Sequence, residues 1–143
     1  MLVLPPELET VIRTEGKNAY PNECCGVLMG VIDGEGVKAA KRAEPIHNAR
    51  DDGEQYHRFL ITPEDMLRAE RTARMSGLDV VGFYHSHPDH PAVPSDYDKD
   101  HALPFYSYVI VSVRQGAAEE TASWELTADR VGFLPENIVK EGQ

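Results

Sequence analysis

The chain has 143 residues, of which 24 are acidic and 14 basic, giving a net charge of −10. This length is typical of one compact domain, so we expect residues 1–143 to form a single domain. The charge argues against a general nucleic-acid binder, because most of the surface would repel an anionic backbone.

Two features of the composition bear on location. The longest uncharged apolar stretch, from Cys24 to Ile32, is too short to cross a bilayer, and the first residues lack the pattern of a secretory signal. The only cysteines, Cys24 and Cys25, are adjacent and cannot cross-link distant segments, which is typical of a reducing compartment. We therefore expect a soluble, cytoplasmic protein that makes no use of a membrane.

The first half of the chain predicts a helix and a β-hairpin. Apolar residues at helical spacing follow Pro5-Pro6 and predict an amphipathic helix that ends between Gly16 and Tyr20. The apolar run from Cys25 to Ile32, the turn that follows it and an alternating segment to Ala43 predict a strand, a turn and a returning strand. The segment from Pro45 to Arg58, with His47 and His57, predicts an irregular loop.

The second half predicts a capped helix followed by strands. Thr62, Pro63 and Asp65 form a helix-start pattern, and Gly77 is expected to end that helix. Period-2 patterns and apolar runs predict strands over Asp79 to Tyr84, Ser107 to Val113, Thr121 to Thr127 and Arg130 to Leu134. This mixed order predicts an α/β fold with a mixed, partly antiparallel β-sheet flanked by helices.

The most informative stretch runs from His85 to Asp98. Side chains two apart on a strand share a face, so His85 and His87 can direct two imidazoles at one point while Ser86 faces away. Two imidazoles, one carboxylate and a water form a common catalytic zinc shell, and the following loop offers several acids. Ser95 is placed to cap a short helix with Asp98 at its third position, which would bring these two side chains together.

Each of these features also has an ordinary structural interpretation. An isolated His-x-His is more often a solvated strand end, and the serine–aspartate pair alone is more often a simple capping box. Their combination in one short segment, with Glu23 just before the first apolar strand, favours a functional site. A thiol nucleophile at Cys24 or Cys25 is a weaker hypothesis, because both lead into an apolar run and not into a helix N-terminus.

Together these residues resemble the signature of the JAMM metallopeptidases, also called the MPN+ or Mov34/PAD-1 family. That signature is an upstream glutamate, His-x-His, seven residues, serine, two residues and aspartate. The chain matches every position, with Glu23, His85, His87, Ser95 and Asp98. The segments Tyr20 to Gly30 and Gly82 to Pro88 are similar to the small prokaryotic branch, and the resemblance extends from Pro5 to Leu134.

The resemblance implies a JAMM/MPN fold, which is of the cytidine-deaminase-like type, and a zinc-dependent hydrolase. His85, His87 and Asp98 would be the zinc ligands, with a water in the fourth position. Glu23 would accept a proton from that water and pass it to the leaving amine. Ser95 would donate a hydrogen bond to the oxyanion of the tetrahedral intermediate.

Small prokaryotic members resemble enzymes that trim ubiquitin-like sulfur carriers ending in Gly-Gly. The expected substrate is therefore a β-grasp protein, cut at the amide bond after its Gly-Gly tail. A deubiquitinase is a weaker hypothesis, because no segment is an obvious equivalent of the insertions with which eukaryotic members grip ubiquitin. The alternative from another class is a non-catalytic interaction module that keeps zinc for stability. No feature of the sequence indicates the oligomeric state.

Overall fold

A mixed eight-stranded β-sheet organises the part of the chain that the computed structural model describes, residues 1–46 and 61–141. The strands are β1 (Leu2–Val3), β2 (Cys25–Ile32), β3 (Lys38–Ile46), β4 (Asp79–Pro88), β5 (Ser107–Arg114), β6 (Ala117–Leu126), β7 (Phe133–Glu136) and β8 (Ile138–Val139). The helices are α1 (Pro6–Ala19), α2 (Pro63–Met75) and α3 (Asp96–His101). None of these helices is long and apolar enough to cross a membrane.

The strand order across the sheet is β7-β6-β5-β4-β2-β3-β1-β8. Strands β4 and β5 are parallel, and β1 is parallel to β3 and β8, whereas the remaining neighbours are antiparallel. Only Asn137 separates β7 from β8, which occupy opposite ends of this order, so the sheet curls toward closure. The predicted α/β fold with a mixed, partly antiparallel sheet is confirmed.

Two hydrophobic cores lie on the two faces of the sheet. Leu28 of β2 packs in the core that also contains Ile12 of α1, while its neighbours Val27 and Met29 pack in the core that contains Ala69 of α2. Both faces of β2 are therefore covered, which explains why its sequence is a near-continuous apolar run.

Local hydrogen bonds set the ends of α2 as the sequence predicts. The Asp65 backbone N–H donates to the Thr62 hydroxyl at 3.1 Å, and the Thr62 N–H donates to the Asp65 carboxylate at 3.1 Å. Gly77 follows the helix with φ of +72°, a conformation that glycine adopts without strain. The predicted end of α1 is also confirmed, because that helix ends at Ala19.

Several predicted boundaries are wrong because pairing across the sheet extends the strands. β3 continues to Ile46, which pairs with Cys25, so the loop predicted from Pro45 begins too early. The remainder of that predicted loop, residues 47–58, lies outside the described residues. β4 continues past Tyr84 to Pro88, because it stays paired with β5.

The C-terminal strands also differ from the prediction. β6 begins at Ala117, before the predicted Thr121. The last predicted strand starts too early: Arg130 lies in a turn with φ of +63°, and β7 begins only at Phe133. The two-residue strands β1 and β8 were not predicted, since two residues are too few to show a period.

Candidate metal centre

Strand β4 brings two imidazoles together at the centre of the sheet. His85 pairs with Cys25 of β2 on one side and Ile110 of β5 on the other. His85 and His87 are both buried, and their Nε2 atoms lie 3.1 Å apart. Both histidines lie near the carboxyl end of the parallel pair β4 and β5, which is where α/β sheets commonly place their sites.

Helix α3 supplies the carboxylate, through the capping box that the sequence predicts. The Asp98 N–H donates to the Ser95 hydroxyl at 3.1 Å, and the Ser95 N–H donates to Asp98 Oδ2 at 2.9 Å. The same Oδ2 lies 3.3 Å from His85 Nε2 and 3.2 Å from His87 Nε2. The cap thus fixes the carboxylate against both imidazoles.

These three side chains fit a metal ion. His87 Nδ1 lies 2.9 Å from the Pro91 carbonyl oxygen, which can only accept, so Nδ1 carries the proton and the Nε2 of the neutral ring has a lone pair. That lone pair faces the carboxylate of Asp98, another acceptor, and such an arrangement calls for a cation between them. One ligand atom from each of His85, His87 and Asp98 lies within 4.8 Å of the others. Tetrahedral zinc ligands lie about 3.3 Å from one another, close to the distances here.

The protonation states of the cluster also suit a cation. Burial lowers the pKa of His85, and this outweighs the opposing effect of the Asp98 charge. Burial alone would raise the pKa of Asp98, but His85 and the hydrogen bonds that Asp98 accepts hold its pKa well below the usual range. A neutral imidazole and an ionised carboxylate are the forms that bind metals.

Glu23 and Ser95 lie beside this cluster. Glu23 is only 6% exposed and precedes the first paired residues of β2. Glu23, Ser95 and His87 line one cavity of about 250 Å³. A carboxylate, a hydroxyl and a candidate metal ligand therefore share one space that a reacting group could enter.

A separate, mostly apolar cavity of about 270 Å³ contacts the other two members of the cluster, His85 and Asp98. Phe83, Tyr108 and Phe133 contribute aromatic walls. None of these three aromatic residues is predicted as part of the site from the sequence. Phe83 could have been found, because it lies two positions before His85 on the same strand. Tyr108 and Phe133 come from β5 and β7, and no local pattern connects them to the histidines.

The two cysteines are poorly suited to nucleophilic catalysis. Burial raises the pKa of Cys24 to about 12 and also raises the pKa of Cys25 above its ordinary value. The Cys25 thiol lies 3.3 Å from the Ile46 carbonyl oxygen, to which it donates. Neither side chain is a thiolate near neutral pH, which argues against the thiol-nucleophile alternative.

The arrangement of the sheet and its helices is that of a JAB1/MPN domain. A JAB1/MPN domain protein from Archaeoglobus fulgidus has the same fold, with a TM-score of 0.56, 20% identity and coverage of 97% of each chain. Residues 5–127 match the family described as prokaryotic homologs of the JAB domain, and the chain belongs to this family. The predicted membership of the small prokaryotic branch is confirmed.

Two further proteins are similar in sequence. A Salinibacter ruber protein of known solution structure is 41% identical with a TM-score of 0.77, over 97% of this chain and 91% of that one. The desampylase of Haloferax volcanii is 39% identical over 93 residues, which cover 64% of this chain and 63% of that protein. The match therefore spans less than two thirds of the desampylase.

Proposed function

We propose that the chain, as one domain over residues 1–143, is a zinc-dependent peptidase or isopeptidase. It would hydrolyse the amide bond after the Gly-Gly tail of a ubiquitin-like or sulfur-carrier protein. The observation that carries this proposal is the buried cluster of His85, His87 and Asp98 beside a cavity that Glu23 and Ser95 line. The similarity to a desampylase supports it, since desampylases act on ubiquitin-like modifiers. The adjacent cysteines favour the cytoplasm as its location.

His85, His87 and Asp98 would hold the zinc. When bound there, zinc would lower the pKa of a water ligand from about 16 toward about 7, which makes hydroxide available at neutral pH. The Pro91 carbonyl holds His87 in the tautomer that directs the Nε2 lone pair at the cluster. This contact orients a ligand in the way that outer hydrogen bonds of metal sites commonly do.

Glu23 would act as the proton acceptor. The three side chains of the cluster already provide a full ligand set, so its carboxylate is not required as a ligand. It lines the same cavity as His87, where it can accept a proton from the attacking water and then donate it to the leaving amine.

Ser95 would stabilise the oxyanion. Its oxygen accepts the Asp98 N–H in the capping box, and that bond leaves the hydroxyl proton to be donated elsewhere. A donor that the helix cap already holds in place can stabilise the negative charge that develops on the scissile carbonyl oxygen.

The proposed role of Glu23 also determines how the substrate would lie across the site. The leaving amine must receive its proton from Glu23, so the released residue would lie over the cavity that Glu23 lines. The acyl side would then lie toward the apolar cavity beside His85 and Asp98. Glycines next to the cut would let the substrate backbone approach the metal without side-chain clashes.

Intact-mass measurement of a sulfur carrier extended by one cysteine tests this function. We expect hydrolysis just after Gly-Gly, blocked by a zinc chelator. Replacing the terminal glycine with Val adds side-chain atoms beside the metal at a cost of about 1–3 kcal/mol, so the rate should fall about 5- to 150-fold. Equal rates on the two tails would contradict the proposed steric requirement for glycine next to the cut. Faster cleavage of a ubiquitin dimer in the same assay would favour a deubiquitinase.

Replacing Ser95 with Ala should lower kcat by about two to three orders of magnitude and change KM little, because the donor acts on the developing oxyanion. Loss of the helix cap should also lower stability by about 1 kcal/mol, while zinc stays bound. Ser95→Thr keeps both the cap and the donor and should retain most of the turnover. Kinetics and metal analysis on both variants check this. Unchanged kcat in Ser95→Ala would remove Ser95 from the mechanism.

A further inference from the structure

Ser86 lies between the two histidines, but its side chain points to the opposite face of the sheet and is fully buried. Two hydrogen bonds join it to Cys24. The Cys24 N–H donates to Ser86 Oγ at 2.8 Å, and the Ser86 N–H donates to the Cys24 carbonyl at 3.2 Å. Ser86 thus contacts Cys24 through both its side chain and its backbone.

These bonds lie where the regular pairing of β2 with β4 ends. The last paired residues are Cys25 and His85, so Cys24 is already outside β2. Glu23 is the residue immediately before Cys24. The two hydrogen bonds between Ser86 and Cys24 therefore hold the chain against β4 for one residue beyond the end of β2. That residue, Cys24, is directly bonded to Glu23.

The Ser86 side chain has little freedom to move. Gly16 of α1 packs over it, and a Cβ atom at Gly16 would lie only 3.3 Å from Ser86 Cβ. The same Cβ would lie 3.2 Å from Val111 Cγ1 and 3.1 Å from Val113 Cγ2. The helix therefore packs closely against the Cβ of Ser86, and the hydroxyl of this buried side chain accepts the hydrogen bond from the Cys24 N–H.

We infer that Ser86 is a positioning residue that fixes Glu23 relative to the candidate metal centre. This inference rests on the proposed function, in which Glu23 accepts the proton. A proton acceptor must lie within hydrogen-bond reach of its donor, and a displacement of about 1 Å can lower a rate about 100-fold. Without the hydroxyl, the Cys24 N–H loses this acceptor, while the backbone bond from the Ser86 N–H to the Cys24 carbonyl remains.

Ser86→Ala should lower kcat about 10- to 100-fold, with KM nearly unchanged and one zinc per chain retained. The Cys24 amide should exchange its hydrogen faster, because it loses its acceptor. Ser107→Ala is the matched control. Ser107 is equally buried but lies at the far end of β5, where its hydroxyl accepts from Lys38 Nζ at 3.0 Å. That variant should keep the kcat of the unaltered protein.

The double variant Ser86→Ala/Glu23→Gln separates positioning from a general loss of stability. If Ser86 acts through Glu23, the double variant should turn over no more slowly than Glu23→Gln alone. Should Ser86→Ala not fold, Ser86→Cys under reducing conditions provides a weaker acceptor of similar size, and its kcat should still fall.

Each outcome has a distinct meaning. Wild-type kcat in the folded Ser86 variants, together with a large loss in Glu23→Gln, would overturn the role of Ser86 and leave the proposed function intact. A further large drop in the double variant would also overturn it. Wild-type turnover in Glu23→Gln would instead refute the proposed role of Glu23 itself.

Discussion

Replacing Glu23 with Gln should lower the turnover number by about two to four orders of magnitude, with one zinc per chain still bound. Glutamine has nearly the same size and can still hydrogen-bond, but its amide cannot accept the proton of the attacking water. Because Glu23 is only 6% exposed, bulk water has little access to its position and is a poor substitute as a base. Steady-state kinetics and metal analysis on the same preparation measure both quantities.

A matched substitution controls for the loss of a buried carboxylate. Glu136 is 8% exposed and accepts a hydrogen bond from the Ser123 hydroxyl, and it lies on β7, away from the cluster. Glu136→Gln should lower stability and leave kcat unchanged. If Glu23→Gln lost its zinc, or if its turnover matched the unaltered protein, Glu23 would not be the proton acceptor.

The double variant His85→Ala/His87→Ala should lose both stoichiometric zinc and measurable hydrolysis. Two of the three candidate ligands would be gone, and Asp98 alone offers a single carboxylate from a short helix. A matched control is His90→Ala/His101→Ala, which removes two exposed histidines that do not belong to the cluster. Metal analysis of the purified control should still give one zinc per chain. One zinc per chain in the His85/His87 variant would show that the site is elsewhere.

The features of the fold and site that the sequence could predict are those that local chemistry determines. Thr62 and Ser95 each cap a helix through a hydrogen bond to the residue three positions later. A pattern that spans only four residues can be identified from the sequence without knowledge of the fold. The strand period likewise predicts that His85 and His87 share a face. All three candidate ligands lie within 14 consecutive residues, so no knowledge of the sheet order was needed to group them.

The features that the sequence could not predict depend on contacts between strands that are distant in the chain. The apolar cavity forms because β5 and β7 bring Tyr108 and Phe133 to the same side as Phe83, and the strand order decides this. The bond between Ser86 and Cys24 likewise joins residues 62 positions apart. β3 and β4 run past their predicted ends for the same reason, since pairing with a neighbouring strand sets where they stop.

A zinc ion held by the cluster would have either a catalytic or a purely structural role. The hydrophobic cores on both faces of the sheet form without any side chain of the cluster. A fold with such self-sufficient cores should persist without metal, in contrast to small domains whose folding depends on zinc. This favours the catalytic role.

Removal and return of zinc in the unaltered protein tests the catalytic role most directly. Zinc content, hydrolysis of the cysteine-extended sulfur carrier and the unfolding temperature are measured before chelation, after it, and after one equivalent of zinc is added back. We expect hydrolysis to disappear with the zinc and to return with one equivalent per chain, while the zinc-free protein stays folded. Unfolding on chelation would instead indicate a structural zinc, and full hydrolysis by zinc-free protein would contradict a zinc-dependent peptidase.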